Sequence, residues 1–402
     1  MQLNTDNLIS VVGDIRNLSP ENINPVKPFD EERISFLDSL SKLLLNDTEV
    51  REYPDVVSFA FWIRRANMVQ YMRKYNDIAV RKGRGIVFHI APSNIAVNFA
   101  FSFVVGFLAG NTNIVRLPAK PFRQTDLICR GIDRTIKDTD SRFSNEIFFI
   151  RYGHDDDINR YFSEICDVRV IWGGDNSIRK FRDYPLKPRA KEISFSDRFS
   201  AAVLDAHKVC ESSSLKRLII DFYNDTYLND QNACSSPKWV FWYGEHDEIM
   251  SAKDKFWKAL SDYIHAHYQF QDIVGIDKLT KSCIVASERP GVKMIKDDNY
   301  LVRLEMPDLD CSLIDYAGNG GMFFETDISS LDELSGLSDQ RVQTLAYFGD
   351  FDFSEVIDNI SYGIDRVVPI GHTLDFDLTW DGYDLIRECS RIINIMGRSA
   401  NE

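Results

Sequence analysis

Cys234 closes a polar, turn-prone run, Asn229-Asp230-Gln231-Asn232-Ala233-Cys234-Ser235-Ser236-Pro237, just ahead of the strand-like Lys238-Trp239-Val240-Phe241-Trp242-Tyr243. A structural cysteine usually sits in an apolar run, where it packs as a small hydrophobe. A thiol on a loop held by a rigid scaffold is placed to act as a nucleophile. The plain alternative is a buried thiol in a connecting loop, and residue type alone does not separate the two.

Other stretches carry candidate groups. Pro92-Ser93-Asn94 follows a β-rich run, and the Asn94 amide can either donate to an oxyanion or cap the next helix. Gly173-Gly174-Asp175 stands between a strand and a helix, where backbone N–H groups can meet a phosphate or where glycine serves the turn alone. Glu192 is either a base or a solvated charge. The segment Arg179 to Arg198, rich in Lys and Arg, is a candidate face for the phosphates of a nucleotide or coenzyme A, or a solvated surface. His265 and His267 are two apart, the wrong step for one helical face, so no metal site is argued.

The elements that must hold these groups alternate. Gly85–Ala91 reads as a buried strand, 95–109 as an apolar helix ended by Gly110-Asn111, and Asn113–Leu117 as a strand. Helices at 123–138 and 155–165, strands at 146–150 and 168–172, a helix from Asp175 to Arg182 and a strand at 200–204 continue the series. That order predicts a parallel, Rossmann-like sheet, although no G-x-G-x-x-G fingerprint follows a strand. Helices are expected near 34–44, from Val56 to Met72, at 212–227 and 246–267, and from Tyr383 to Ile395; strands at 238–243, 343–348 and 366–370 build a second α/β series. The expected division is a helical segment 1–55, a cofactor domain 56–205, a thiol domain 206–370, and a segment 371–402 packing back on the cofactor domain.

With 402 residues, two domains are the natural expectation. A net charge of −14 disfavours nucleic-acid binding. Seven scattered cysteines with no Cys-x-x-Cys spacing argue against a disulfide framework and a structural zinc. The first residues lack the basic and apolar regions of a signal peptide, and the longest apolar stretch is too short to span a bilayer. A cytoplasmic protein is expected.

Taken together, these pieces resemble the aldehyde dehydrogenase superfamily, and within it the acyl-CoA or acyl-protein thioester reductases of the LuxC family. The thiol motif Asp230–Pro237 is the closest match. Ile90-Ala91-Pro92-Ser93-Asn94 resembles the superfamily's proline–asparagine segment, and Gly110–Arg116 its run ending in a cofactor-binding lysine, here Arg116. Ile171–Asp175 is similar to the reductases' tryptophan–glycine–glycine turn, and Arg366–Gly371 and Trp380-Asp381-Gly382 to their C-terminal signature.

The resemblance implies Cys234 as nucleophile, Asn94 as oxyanion donor, Glu192 as base, and Pro92, Ser93, Arg116, Lys120, Gly173, Gly174 and Asp175 around the cofactor. Two cations, Arg116 and Lys120, favour NADPH over NADH. The superfamily's glutamate precedes a leucine and two glycines, whereas Ile193-Ser194-Phe195-Ser196 follow Glu192; a weak base suits thioester reduction better than hydrolysis. The expected partner is acyl-CoA or an acylated carrier protein or acyl-activating enzyme, and a homo-oligomer is expected. The rivals are an oxidising aldehyde dehydrogenase and a non-catalytic cofactor-binding subunit.

Overall fold

The runs Ile86–Ile90 and Val168–Trp172 are buried at every position, as strands covered by helices on both faces must be. The computed structural model describes residues 7–92, 95–139, 142–296 and 298–396. The chain divides into two compact units, one holding the chain through Ser196 and again from Asp377, the other Asp197–Phe376.

The strands of the first unit are β1 (Ile9–Val12), β2 (Arg81–Gly83), β3 (Ile86–Ile90), β4 (Thr112–Arg116), β5 (Ile147–Arg151), β6 (Val168–Trp172) and β7 (Lys191–Phe195). Its main sheet runs β1-β5-β4-β3-β6-β7, parallel except for β1. Helices α1 (Glu31–Asn46), α2 (Pro54–Trp62), α3 (Arg65–Met72), α4 (Asn98–Leu108), α5 (Arg123–Asp138), α6 (Asp156–Ile165) and α7 (Asp175–Arg182) complete it. The single helix expected over 56–72 is two. The chain turns extended at Arg64, and the Asn67 amide donates to the Phe61 and Trp62 carbonyls that a continuous helix would use.

The second unit holds β8 (Phe199–Asp205), β9 (Pro237–Tyr243), β10 (Lys293–Lys296), β11 (Val302–Glu305), β12 (Met322–Ile328), β13 (Val342–Phe348) and β14 (Arg366–Pro369), in the order β10-β11-β12-β9-β8-β13-β14. Its helices are α8 (Ala206–Glu211), α9 (Leu215–Thr226), α10 (His246–His267), α11 (Asp272–Glu288) and α12 (Ser354–Asn359). The strand at 200–204, expected to continue the first sheet, lies instead inside the second, between β9 and β13. Alternation splits its side chains between two cores: Ala202 and Leu204 join Trp242, Phe222 and Phe256, while Ala201 and Val203 join Trp239, Phe241 and Leu345.

The chain then returns to the first unit with β15 (Thr379–Trp380), β16 (Tyr383–Asp384), α13 (Leu385–Glu388) and β17 (Ser390–Ile392). This corrects the helix expected over 383–395. Its carbonyls are diverted: Asn111 Nδ2 donates to Cys389 O (2.9 Å) and Arg84 Nε to Glu388 O (2.8 Å), and β17 then pairs antiparallel with β2. Among the described residues, no helix is long and apolar enough to cross a membrane.

Candidate active site

In the first unit, β3, β4 and β5 step outward in one direction and β6 and β7 in the other, so the strand order reverses between β3 and β6. In such sheets a ligand binds outside the carboxyl ends of the strands at this reversal. β3 leads there into Ala91-Pro92, and β6 into Gly173-Gly174. Arg116, at the carboxyl end of β4, is level with Ile90, and Ile90 is level with Ile171. Pro92, Arg116 and the Gly173-Gly174 turn therefore share one edge of the sheet. Ser93 and Asn94, which follow Pro92, lie outside the described residues.

Gly174 precedes α7, whose N-terminus no side chain among the described residues caps, leaving first-turn N–H groups that suit a phosphate. Asp175 is exposed and pairs with Arg179 at 3.8 Å. The Arg116 guanidinium lies 4.6 Å from the Tyr152 ring centroid and donates to Gly153 O at 3.2 Å, and Lys120 is exposed, 5.1 Å from the Phe122 ring centroid. An uncapped helix start at the strand reversal, with two cations after the neighbouring strand, fits the polyanionic part of a dinucleotide.

Beneath this edge a buried polar chain ties the strands together. Trp172 Nε1 donates to Ser102 Oγ (2.9 Å), which lies 2.7 Å from His89 Nδ1, and His89 Nε2 lies 3.0 Å from Asn113 Oδ1. A carboxamide oxygen only accepts, so Nε2 carries the proton and Nδ1 accepts from Ser102. Burial pushes the His89 pKa down to about 4, against the opposing Asn113 bond, so the ring is neutral near pH 7. Gly106 makes room for this chain; a Cβ there would stand 2.2 Å from Asn113 Oδ1.

Glu192 sits lower on the sheet, level with Arg169 rather than with the carboxyl edge. Arg169 Nε donates to its Oε2 (3.0 Å) and Arg182 Nε to its Oε1 (2.8 Å). Arg169, only 2% exposed, also donates to Ser163 Oγ and Tyr184 O, so the carboxylate faces the layer that holds α6 and α7. The basic segment around it is likewise matched: Lys180 pairs with Asp156, Lys187 with Asp167, and Lys191 with Glu388. Much of its charge is met by carboxylates within the fold, which favours a solvated surface over an open phosphate-binding face.

In the second unit, Cys234 is partly exposed on the loop between α9 and β9. Asp230 and Gln231 both adopt left-handed backbone (φ 52° and 58°), a conformation that needs support at non-glycine residues. The fully buried Gln231 side chain provides it. Nε2 donates to Pro237 O (2.8 Å) and Met322 O (3.2 Å), while Oε1 accepts from Gly321 N (3.0 Å) and Met322 N (3.3 Å). Tyr268 OH donates to Asp230 Oδ1 (2.7 Å), and Ser200 Oγ to Cys234 O (2.7 Å). Gly321 (φ 90°) closes the clamp; a Cβ there would lie 2.2 Å from Tyr227 OH. Neither Gln231 nor the Ala317–Gly321 turn was singled out as functional by residue type. The pairing of a polar amide with a glycine-rich turn about 90 residues away carries no local periodicity.

The chain matches the model of one family, described as "Acyl-CoA reductase (LuxC)", over residues 15–268. A curated relative, Long-chain acyl-protein thioester reductase 2 of Photobacterium leiognathi, is 24% identical over 174 residues, 42% of this chain and 34% of that protein. The chain thus aligns with about a third of the relative's length. Among solved structures, an aldehyde dehydrogenase of Mycobacterium tuberculosis complexed with NAD+ superposes with a TM-score of 0.63 at 11% identity, covering 92% of this chain and 86% of that one. Aldehyde dehydrogenase 21 of Physcomitrella patens, in complex with the product succinate, gives 0.63 at 10%, covering 91% and 86%. The architecture is that of the aldehyde dehydrogenases.

Proposed function

We propose, for a chain that belongs to the acyl-CoA reductase (LuxC) family, that it reduces an acyl thioester to an aldehyde through an acyl-cysteine on Cys234. The observation that carries this reading is the partly exposed thiol on a loop clamped from below by the buried Gln231 amide. The Cys234 thiolate attacks the thioester carbonyl carbon. The resulting oxyanion is assigned to the Asn94 amide and the Cys234 backbone N–H. Collapse breaks the bond to the departing thiolate, which takes a proton from water, and leaves the acyl group on Cys234. NADPH or NADH, when bound, would supply the hydride for this acyl group; the bond between Cys234 Sγ and the former acyl carbon then breaks, the aldehyde leaves and the thiolate is restored.

Pro92, Ser93, Arg116, Lys120 and the Gly173–Asp175 turn are assigned to the cofactor. The acyl donor is acyl-CoA or an acylated protein partner. A homo-oligomer is part of the same reading. The test is intact-mass spectrometry after mixing with acyl-CoA: an acyl adduct is expected on the wild-type chain and none on Cys234→Ala. An adduct that persists in Cys234→Ala overturns the assignment. An oxidising dehydrogenase needs water activated to cleave the acyl-cysteine, and the engagement of both Glu192 oxygens by arginines favours the reducing direction.

A further inference from the structure

Lys238 is the second residue of β9, the strand that the thiol loop feeds, and follows Cys234 by four residues. By alternation it shares a sheet face with the buried Val240 and Trp242. Its Nζ donates to Asn319 Oδ1 (2.5 Å), and Asn319 Nδ2 donates to Asn232 Oδ1 (2.7 Å). The amide of Asn319 therefore joins the lysine to the thiol loop from the turn that already meets Gln231. Among the described residues Lys238 makes no salt bridge, because its acceptor is a neutral amide.

The charged groups that act on it are Lys281 and Asp277 on α11 and Cys234, two residues beyond the Asn232 that Asn319 holds. Lys281 and Asp277 pair with each other at 3.2 Å, and Lys281 also donates to Ala317 O, so both are held on the α11 side. We propose that Lys238 is the positioning cation for Cys234, its ammonium held by Asn319 so that its uncancelled charge stabilises the ionised sulfur. The thiol proton goes to water, and Lys238 keeps its own. Burial first and Lys281 second lower the Lys238 pKa to about 8, with Cys234 and Asp277 opposing, so the ammonium persists at neutral pH. Raising the pH past the lysine's own range removes its charge and with it the support.

This rests on Cys234 being the reactive thiol of the proposed reaction, but its test does not depend on the substrate. The rate at which iodoacetamide alkylates Cys234 in the full chain is followed across a pH series by peptide mass spectrometry. Lys238→Met is expected to raise the midpoint by about one unit, a roughly tenfold slower rate near neutrality, and Lys238→Arg to stay close to wild type. Lys238→Gln keeps a donor toward Asn319 without the charge and carries the same expectation as Lys238→Met should that variant fail to fold. A midpoint unchanged in the neutral variants overturns the proposal. So does an Arg variant shifted as far as the neutral ones, since packing rather than charge would then be at work. A wild-type chain that takes no acyl adduct, yet has a Lys238-dependent midpoint, overturns the thioester reading and leaves this inference standing.

Discussion

Glu192 illustrates what a carboxylate becomes when two guanidiniums reach it first. Arg169 is almost wholly buried, and removing its counter-charge leaves a guanidinium without compensation in the layer beneath the sheet. Glu192→Gln is therefore expected to lower stability by about 2–4 kcal/mol in urea unfolding while thioester reduction falls only a few-fold. Loss of turnover with unchanged stability would return Glu192 to the role of base. Gln231 is the complementary case. Its amide satisfies two carbonyls and two N–H groups at once, so its value lies in the loop conformation it imposes on Cys234.

At the scale of elements, the Trp172–Ser102–His89–Asn113 chain fixes β6, α4, β3 and β4 to one another just under the proposed cofactor edge. Its histidine makes that junction sensitive to acid. The folded pKa, about 4, lies below the value of 6.5 taken for an unperturbed ring. Between these values the unfolded chain binds a proton that the folded chain refuses, so stability falls as pH drops below 6.5 and the loss is complete near 4. From pH 7 to pH 5 the contribution is on the order of 2 kcal/mol. Urea unfolding at the two values should show that drop, and His89→Gln, which cannot gain the charge, should flatten it. An equal slope in both proteins would assign the acid sensitivity to other groups.

For the molecule as a whole, a net charge of −14 works against a polyanionic cofactor. Local cations must offset it, and the paired lysines and arginines of the 179–191 stretch are already engaged by carboxylates. Lys120 is exposed at the carboxyl side of the sheet. Lys120→Ala is expected to weaken NADPH binding about fivefold, on the order of 1 kcal/mol, with a smaller effect on NADH. Titration of nicotinamide fluorescence at low and moderate salt checks this, and equal losses for both cofactors would remove Lys120 from contact with a 2′-phosphate.

Local residue patterns set the individual elements and several of the groups they carry. Helix α10 and strand β6 lie where periodicity and β-branched runs put them, and the Gly173-Gly174 turn falls between strand and helix as its residue types require. Those signals are local, set by side-chain spacing and backbone preference over a few residues. Tertiary structure alone decided which partner each element would find. It moved β8 into the second sheet, because parallel neighbours need not be adjacent in sequence, and it broke the C-terminal helix by drawing its carbonyls to Asn111 and Arg84. It brought Gln231 to Gly321 and Lys238 to Asn319 across more than eighty residues, and it committed Glu192 to two arginines. Hydrogen-bond satisfaction in a buried layer is a long-range condition, and no stretch of sequence states it alone.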